Sequence, residues 1–80
     1  MPWFFFEVQR EGEDPVPDLI GGEFETIARA REEANDALSE MAMDVKPGAS
    51  PTTILITVKD ELGQVVARRA AIFESEDIDP

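Results

Sequence analysis

The chain has 80 residues and a formal net charge of −11 at pH 7, from 18 acidic and 7 basic side chains. This size predicts one domain, and the charge argues against binding to nucleic acid or anionic membranes, which both require a positive surface. The absence of cysteine, histidine and tyrosine excludes disulfides, thiolate metal sites and the usual general base, so catalysis would rest on carboxylates, lysine, arginine, serine or threonine.

The first predicted element is a strand at residues 3–9, because this segment is rich in aromatic and β-branched residues. Its even-numbered side chains are expected to face the helix described below, which leaves Trp3 and Phe5 on the far side of the sheet. The apolar run at residues 3–6 is shorter than the core of a signal peptide or a membrane helix. Together with the lack of cysteine, this predicts a cytoplasmic protein.

Residues 10–24 are predicted to be mostly loop. Residues 10–15 read as a turn or mobile loop, and a brief strand at residues 16–17 is restricted to a sheet edge by its flanking prolines. Residues 18–22 are expected to form a tight turn. Phe24 precedes the helix and is expected to pack near its first turn.

The longest periodic segment, residues 26–45, is predicted to be a helix with Thr26 as its N-cap and Pro47 as its stop signal. Its apolar side chains recur every three or four positions and form one stripe. Alanine dominates this stripe, which favours a helix lying close against a sheet. The larger anchors of the stripe are predicted to be Ile27, Leu38, Met41 and Val45.

The opposite face of this helix is acidic. Glu32 and Asp36 are like charges four residues apart, and so are Glu40 and Asp44, an arrangement that lowers helix stability. Local stability therefore does not explain the acidity. We expect Glu32, Asp36 and Glu40 to form an interaction surface for a basic protein partner. The alternative is that this charge serves only solubility.

The C-terminal part of the chain is predicted to be a β-hairpin. Its strands are residues 53–59 and 64–74, and the turn at residues 60–63 contains the aspartate and glycine that favour tight turns. The two strands alternate, so each presents one apolar face to the helix. The resulting cross-strand pairs include Val58 with Val66 and Ile54 with Ala70.

These elements predict an α+β fold, in which a small antiparallel sheet of three to four strands carries one helix on one face. The order of the elements is β-β-α-β-β. The domain is predicted to span residues 1–74, and residues 75–80 are predicted to be an acidic, disordered tail.

A single helix covers only one face of such a sheet. The other face is predicted to be apolar, and a contiguous apolar patch is typical of an interface. We expect a homodimer that packs sheet-to-sheet or edge-to-edge; the alternative is that residues 10–24 fold across this face. The side chains predicted on it are Trp3, Phe5, Leu55, Val65, Ala67, Ala71 and Phe73.

No pattern in the sequence predicts a catalytic, cofactor or metal site, and we do not expect an enzyme. The acidic clusters lack the spacing of an EF-hand loop, and the glycine pair at residues 21–22 lacks the lysine and spacing of a phosphate loop. Arg68 and Arg69 are expected to point to opposite faces of their strand. One of them is predicted to form a salt bridge with a helix carboxylate; the alternative is a site for an anion or for an acid of a partner.

Four short motifs are distributed over most of the chain: MPWFFFEV at residues 1–8, PDLIG at 17–21, AREEA at 30–34 and VKDELG at 58–63. In this set the chain resembles a family of short bacterial proteins described only as a domain of unknown function. It departs from the family at Thr26, where aspartate is more usual and capping is retained. The resemblance implies a small α+β domain without a known activity, and no functional residue is carried over.

A second similarity is to the N-terminal domain of HicB-like antitoxins, which place strands, a P-D-L-x-G turn and a helix rich in glutamate and alanine in this order. Residues 17–21 fit that pattern. The segment between turn and helix is shorter here, and we expect no DNA-binding domain within these 80 residues. The first functional hypothesis is thus a small, non-enzymatic, self-associating interaction module. The second is an antitoxin-like or nucleic-acid-mimicking inhibitor of a basic protein.

Overall fold

A computed structural model describes residues 1–46, 48 and 51–79. Its elements form one four-stranded antiparallel sheet of order β2-β1-β3-β4 and one helix that follows β2 in the chain. This confirms the predicted α+β fold with its β-β-α-β-β order. The predicted helix stop at Pro47, part of the predicted linker and the last residue of the tail lie outside the described residues. The elements are β1 (Trp3–Arg10), β2 (Gly22–Glu23), α1 (Ile27–Ala42), β3 (Thr52–Lys59) and β4 (Val65–Phe73).

Helix α1 begins where the sequence predicts. Thr26 is extended, and its hydroxyl oxygen accepts a hydrogen bond of 3.2 Å from the backbone N–H of Arg29. The helix ends at Ala42, three residues before the predicted end. The backbone N–H groups of residues 43–45 bond to carbonyls three positions back, at 3.2–3.3 Å, so the last turn tightens out of α-helical geometry.

The core lies between α1 and the two strands β3 and β4. Ala30 and Ala34 are 0% exposed and pack with Ile56 and Val58, which confirms the prediction that alanines bring the helix close to the sheet. The larger side chains contribute less than predicted. Ile27, a predicted anchor, is 40% exposed because it lies at the first turn, beyond the alanine contact. The other predicted anchors, Leu38, Met41 and Val45, are half-buried.

Phe24 covers the part of the helix-side face that belongs to β1. Its ring makes edge-to-face contacts with Phe4 and Phe6, with centroid distances of 6.2 Å and 5.7 Å. This confirms that Phe24 packs beside the start of the helix. The three rings extend the core beyond the reach of α1.

The hairpin of β3 and β4 contains a β-bulge that the sequence did not predict. Lys59 pairs with Val65, but Val58 pairs with Ala67, so Val66 is an additional residue on β4. The predicted pairing of Val58 with Val66 is therefore wrong by one residue. The same shift applies to Ile54, whose partner is Ala71 and not Ala70.

This bulge exchanges the two faces of β4, because side chains alternate along a strand. Ala67, Ala71 and Phe73 pair with residues of the helix-side face, so their predicted position on the far face is wrong. Ala67 packs against the core. The far face instead receives Arg68, Ala70 and Ile72 from the part of β4 after the bulge, and Val65, which precedes the bulge, lies there as predicted.

The segment before the helix lines the outer edge of β1. Val16 makes a single bridge to Val8, which replaces the predicted strand at residues 16–17, and Gly22–Glu23 pairs with the first residues of β1. The alternative in which residues 10–24 fold across the far face is therefore wrong for most of this segment, which continues the sheet sideways, and Gly21 approaches that face only at the ring of Phe5. Leu19 and Ile20 are 86% and 82% exposed and cover no apolar surface.

Candidate interaction surface

The turn at residues 18–21 is built around a single carboxylate. One oxygen of Asp18 accepts from the backbone N–H groups of Ile20 and Gly21, at 3.1 Å and 3.0 Å. The other oxygen accepts from the N–H of Phe6 on β1, at 3.1 Å. The bond from Gly21 is the main cause that lowers the pKa of Asp18 below its ordinary value, and the bonds from Phe6 and Ile20 add to it against an opposing effect of burial.

Gly21 permits this turn to lie directly against β1. Its φ of +73° is in the left-handed region, and a Cβ atom at this position would lie 2.7 Å from Cε1 of Phe5. Asp18 and Gly21 together thus hold the segment on the β1 edge and restrain the ring of Phe5. Their role is structural, because the carboxylate substitutes for a missing strand partner of Phe6.

Two arginines bond to backbone carbonyls of β4. Nε and Nη2 of Arg31, on the helix, donate to the carbonyl of the bulged Val66 at 3.2 Å and 3.0 Å. Nη1 of Arg69 donates to the carbonyl of Arg68 at 2.9 Å. Guanidinium groups, and not a further strand, therefore satisfy the start of the outer β4 edge.

The arginine doublet confirms one prediction and corrects another. Arg69 points to the helix side and Arg68 to the far side, as expected from alternation. Arg69, however, donates from Nε to the amide oxygen of Asn35 at 2.7 Å and not to a helix carboxylate. The predicted salt bridge is wrong because the residue that the bulge brings opposite Arg69 is an amide.

The acidic helix face is exposed, as predicted. Glu32, Asp36 and Glu40 are all solvent-accessible. Arg29 pairs with Glu32, and within residues 1–46, 48 and 51–79 this is the single ion pair. Arg31 is engaged at the sheet, so the two arginines of the helix leave most of its negative charge without a basic neighbour.

We call the far side of the sheet the open face. Trp3 and Phe5 lie on it, as predicted, but Phe73 does not. The pairing of the strands arranges its side chains in rows across β1, β3 and β4, namely Phe5–Lys59–Val65, Glu7–Thr57–Arg68 and Gln9–Leu55–Ala70, with Trp3 and the Thr53–Ile72 pair at the two ends.

The open face carries exposed apolar side chains towards both ends, a charged middle row, and Lys59 between Phe5 and Val65. Trp3, Val65 and Ile72 are 37%, 43% and 67% exposed. Glu7 and Arg68 flank Thr57 between these ends. The sequence prediction missed Arg68 and Ile72 on this face because it lacked the bulge at Val66.

Other places in the described chain offer little for chemistry. No group of three acidic side chains among the described residues is arranged to hold a metal ion. A depression of about 250 Å³ at the end of β1 and the start of β3 is open to solvent. In the same part of the chain, no helix combines the length and the apolar character needed to cross a membrane. The depression is lined by Gln9, Arg10, Glu11, Gly12, Thr53 and Leu55.

The sequence profile of a family described as "Domain of unknown function (DUF6894)" matches residues 3–70. Comparison with curated proteins and with solved structures gives no match. The matched region contains all the strands and the helix except the last three residues of β4. The chain belongs to the DUF6894 family.

Proposed function

We propose that this protein is a small, non-enzymatic interaction module that associates with a second copy of itself through the open face. The supporting observation is the exposure of Trp3, Val65 and Ile72 on the sheet face opposite α1, which no helix or strand among the described residues packs against. A cytoplasmic location is part of the proposal and rests on the absence of cysteine.

Contact through the face is favoured over contact through an edge. An edge-to-edge dimer needs unpaired backbone groups along an outer strand. On the β1 side, Asp18 and Val16 bond to those groups. On the β4 side, Arg31 and Arg69 bond to the carbonyls of Val66 and Arg68. The open face has no comparable protection.

Sedimentation velocity over a concentration series tests self-association directly. Trp3 is the only tryptophan, so its emission should shift to longer wavelength on dilution as dimers dissociate. Ile72→Lys should weaken the association, whereas Leu19→Lys, an equally exposed apolar position off the open face, should not. A wild-type protein that stays monomeric at high micromolar concentration refutes the proposal.

The second candidate is inhibition of a basic protein by the acidic helix face, as in an antitoxin. The observation that favours it is the helix charge, which the helix arginines leave largely without basic neighbours. Affinity capture from lysate with salt elution tests it, together with capture of the adjacent gene's product if that product is small and basic. The double variant Asp36→Lys/Glu40→Lys should abolish capture. Retention that is insensitive to both salt and this variant refutes the candidate.

A further inference from the structure

We infer that two copies stack open face against open face about a two-fold axis that runs parallel to β3. This rests on the proposed self-association and adds its geometry. The opposite charges at the two ends of the middle row, Glu7–Thr57–Arg68, determine the choice of axis.

The position of β3 between β1 and β4 makes this arrangement possible. β1 and β4 lie on either side of β3, each at the usual inter-strand distance of about 4.8 Å. Rotation about an axis parallel to β3 therefore sets β1 of one copy over β4 of the other, with the strands of the two sheets aligned to within about 30°. Each row of the open face then meets the same row in reverse order.

The reversed middle row is self-complementary in charge. Glu7 of one copy meets the partner's Arg68, and Arg68 meets the partner's Glu7, so the dimer contains this pair twice. Thr57, which is 7% exposed, lies on the axis between the two pairs. Opposite charges facing each other across an interface fix its register.

The neighbouring rows place apolar side chains together. Phe5 meets the partner's Val65, and Leu55 meets the partner's Leu55 across the axis. Sheets that pack face to face are about 10 Å apart, which suits interdigitated side chains of this size. The row of Lys59 brings two ammonium groups near the axis, and these half-buried side chains must direct their charge to the rim.

The other two-fold axis in the plane of the interface lies across the strands, and charge disfavours it. It would set Glu7 against the partner's Glu7 and Arg68 against the partner's Arg68. That arrangement has two like-charged contacts and no opposite pair. The axis parallel to β3 has two opposite pairs and one like-charged contact, at Lys59.

Charge reversal distinguishes these arrangements. Glu7→Arg and Arg68→Glu should each raise the dimer dissociation constant about ten- to thirtyfold in low salt, because each variant turns both attractive contacts into repulsive ones. Sedimentation equilibrium measures the change, and circular dichroism with thermal melting checks that each variant is folded. Glu33→Arg and Lys46→Glu make the same charge changes at exposed positions away from the open face and should leave the constant unchanged.

Mixing the two single variants gives the decisive measurement. In a mixed dimer, the arginine introduced at position 7 meets the glutamate introduced at position 68, and the native Arg68 meets the native Glu7. The mixture should therefore dimerise about as tightly as wild type while each variant alone does not. Pairing within one chain cannot produce this result, because each variant carries like charges at its own positions 7 and 68.

Each outcome has a distinct meaning. Weak single variants with a restored mixture support the axis parallel to β3. A wild-type dimer whose constant is unaffected by either reversal, or a mixture tighter than wild type with unweakened single variants, overturns this axis and leaves self-association standing. A monomeric wild type overturns the proposed self-association and the inferred axis together.

Discussion

Asp18→Ala should destabilise the domain more than any other replacement of an exposed or half-buried acid. The carboxylate accepts three backbone hydrogen bonds, from Phe6, Ile20 and Gly21. Two of these shape the turn, and the third connects the turn to β1. Its removal leaves the N–H of Phe6, which is partly buried, without its acceptor.

The expected loss of stability depends on which of these hydrogen bonds water can replace. The amide of Ile20 is exposed and can turn to solvent, so its bond contributes little net free energy, whereas the bond from Gly21 is partly buried. The bond from Phe6 is partly buried and goes to a charged acceptor, a class worth about 1.5–3 kcal/mol. We expect a loss of about 2 kcal/mol in the free energy of unfolding, and therefore a melting temperature lower by about 8–16 °C in a domain of this size.

Urea unfolding followed by far-UV circular dichroism measures this loss. Asp14→Ala is the matched control, because Asp14 is an exposed acid on the same loop and no hydrogen bond to its side chain is seen among the described residues. Asp18→Asn should be intermediate, since an amide offers one acceptor oxygen and presents a donor where the second was. Equal stability of the Asp18→Ala and Asp14→Ala variants would refute the structural role assigned to Asp18.

The pH dependence of the same variant tests the cause. The folded pKa of Asp18 lies below its ordinary value of 3.8, so the carboxylate stabilises the fold above this value and stops doing so as the pH falls through the folded pKa. The difference in stability between wild type and Asp18→Ala should be constant from neutral pH to about pH 5 and shrink below 3.8. A difference that persists unchanged at lower pH contradicts the assignment.

Gly21→Ala should lower the free energy of unfolding by more than Gly12→Ala, because both positions have positive φ but only Gly21 has a ring in the way; urea unfolding that gives equal losses contradicts this. Ala34→Leu should cost about 1–3 kcal/mol by overpacking, while Ala28→Leu on the exposed face should be nearly neutral in thermal melts. Arg31→Ala should cost about 1 kcal/mol in urea unfolding by leaving the bulge carbonyl without its donor, and a neutral result would show that solvent replaces this bond.

The helix and the strands were predictable because their signals are local. Thr26 marks the start of α1 by its own side chain, and apolar periodicity marks its buried face. The bounds of β1, β3 and β4 follow from composition to within one residue, whereas β2 lies at residues 22–23 and the second strand was predicted at residues 16–17. None of these predictions needs information about residues distant in the sequence.

The open face was predicted only in part because successive side chains of a strand alternate between its two faces, so an error of one residue changes the face. One additional residue, Val66, inverts the assignment of every later side chain of β4. Trp3 and Phe5 were placed on the correct face because β1 has no bulge. Phe73 was placed on the wrong face because it follows the bulge in β4. A local sequence pattern does not show which side of a hairpin turn accommodates the additional residue.

The role of Asp18 illustrates a second limit. The sequence identifies residues 18–22 as a turn, which agrees with the bonds from Ile20 and Gly21. It gives no indication of the bond from Phe6, twelve residues earlier, because that contact exists only after β1 and the turn lie side by side. The same applies to Arg31, whose acceptor is 35 residues away.

Three of the four motifs through which the chain resembles its family contain side chains that stabilise the fold. Asp18 connects its turn to β1, and Ala34 allows the close contact of helix and sheet. Arg31 satisfies the bulge, and Asp60 accepts from two backbone N–H groups of the hairpin turn at 2.9 Å each. Side chains with these duties are committed to internal contacts and are poorly placed to recognise a partner.

If the protein recognises a partner as proposed, we expect recognition to use side chains that make no hydrogen bond within the fold. Glu7 and Arg68 make no side-chain hydrogen bond within the described part of the chain, although they lie in one row of the sheet. A charge pair that serves stability would meet inside one chain, and here Thr57 separates the two side chains. In the proposed dimer, the reversed row of a second copy would bring each of them opposite its complement, so Glu7, in the first motif, and Arg68, outside the motifs, are the residues at which to test self-association.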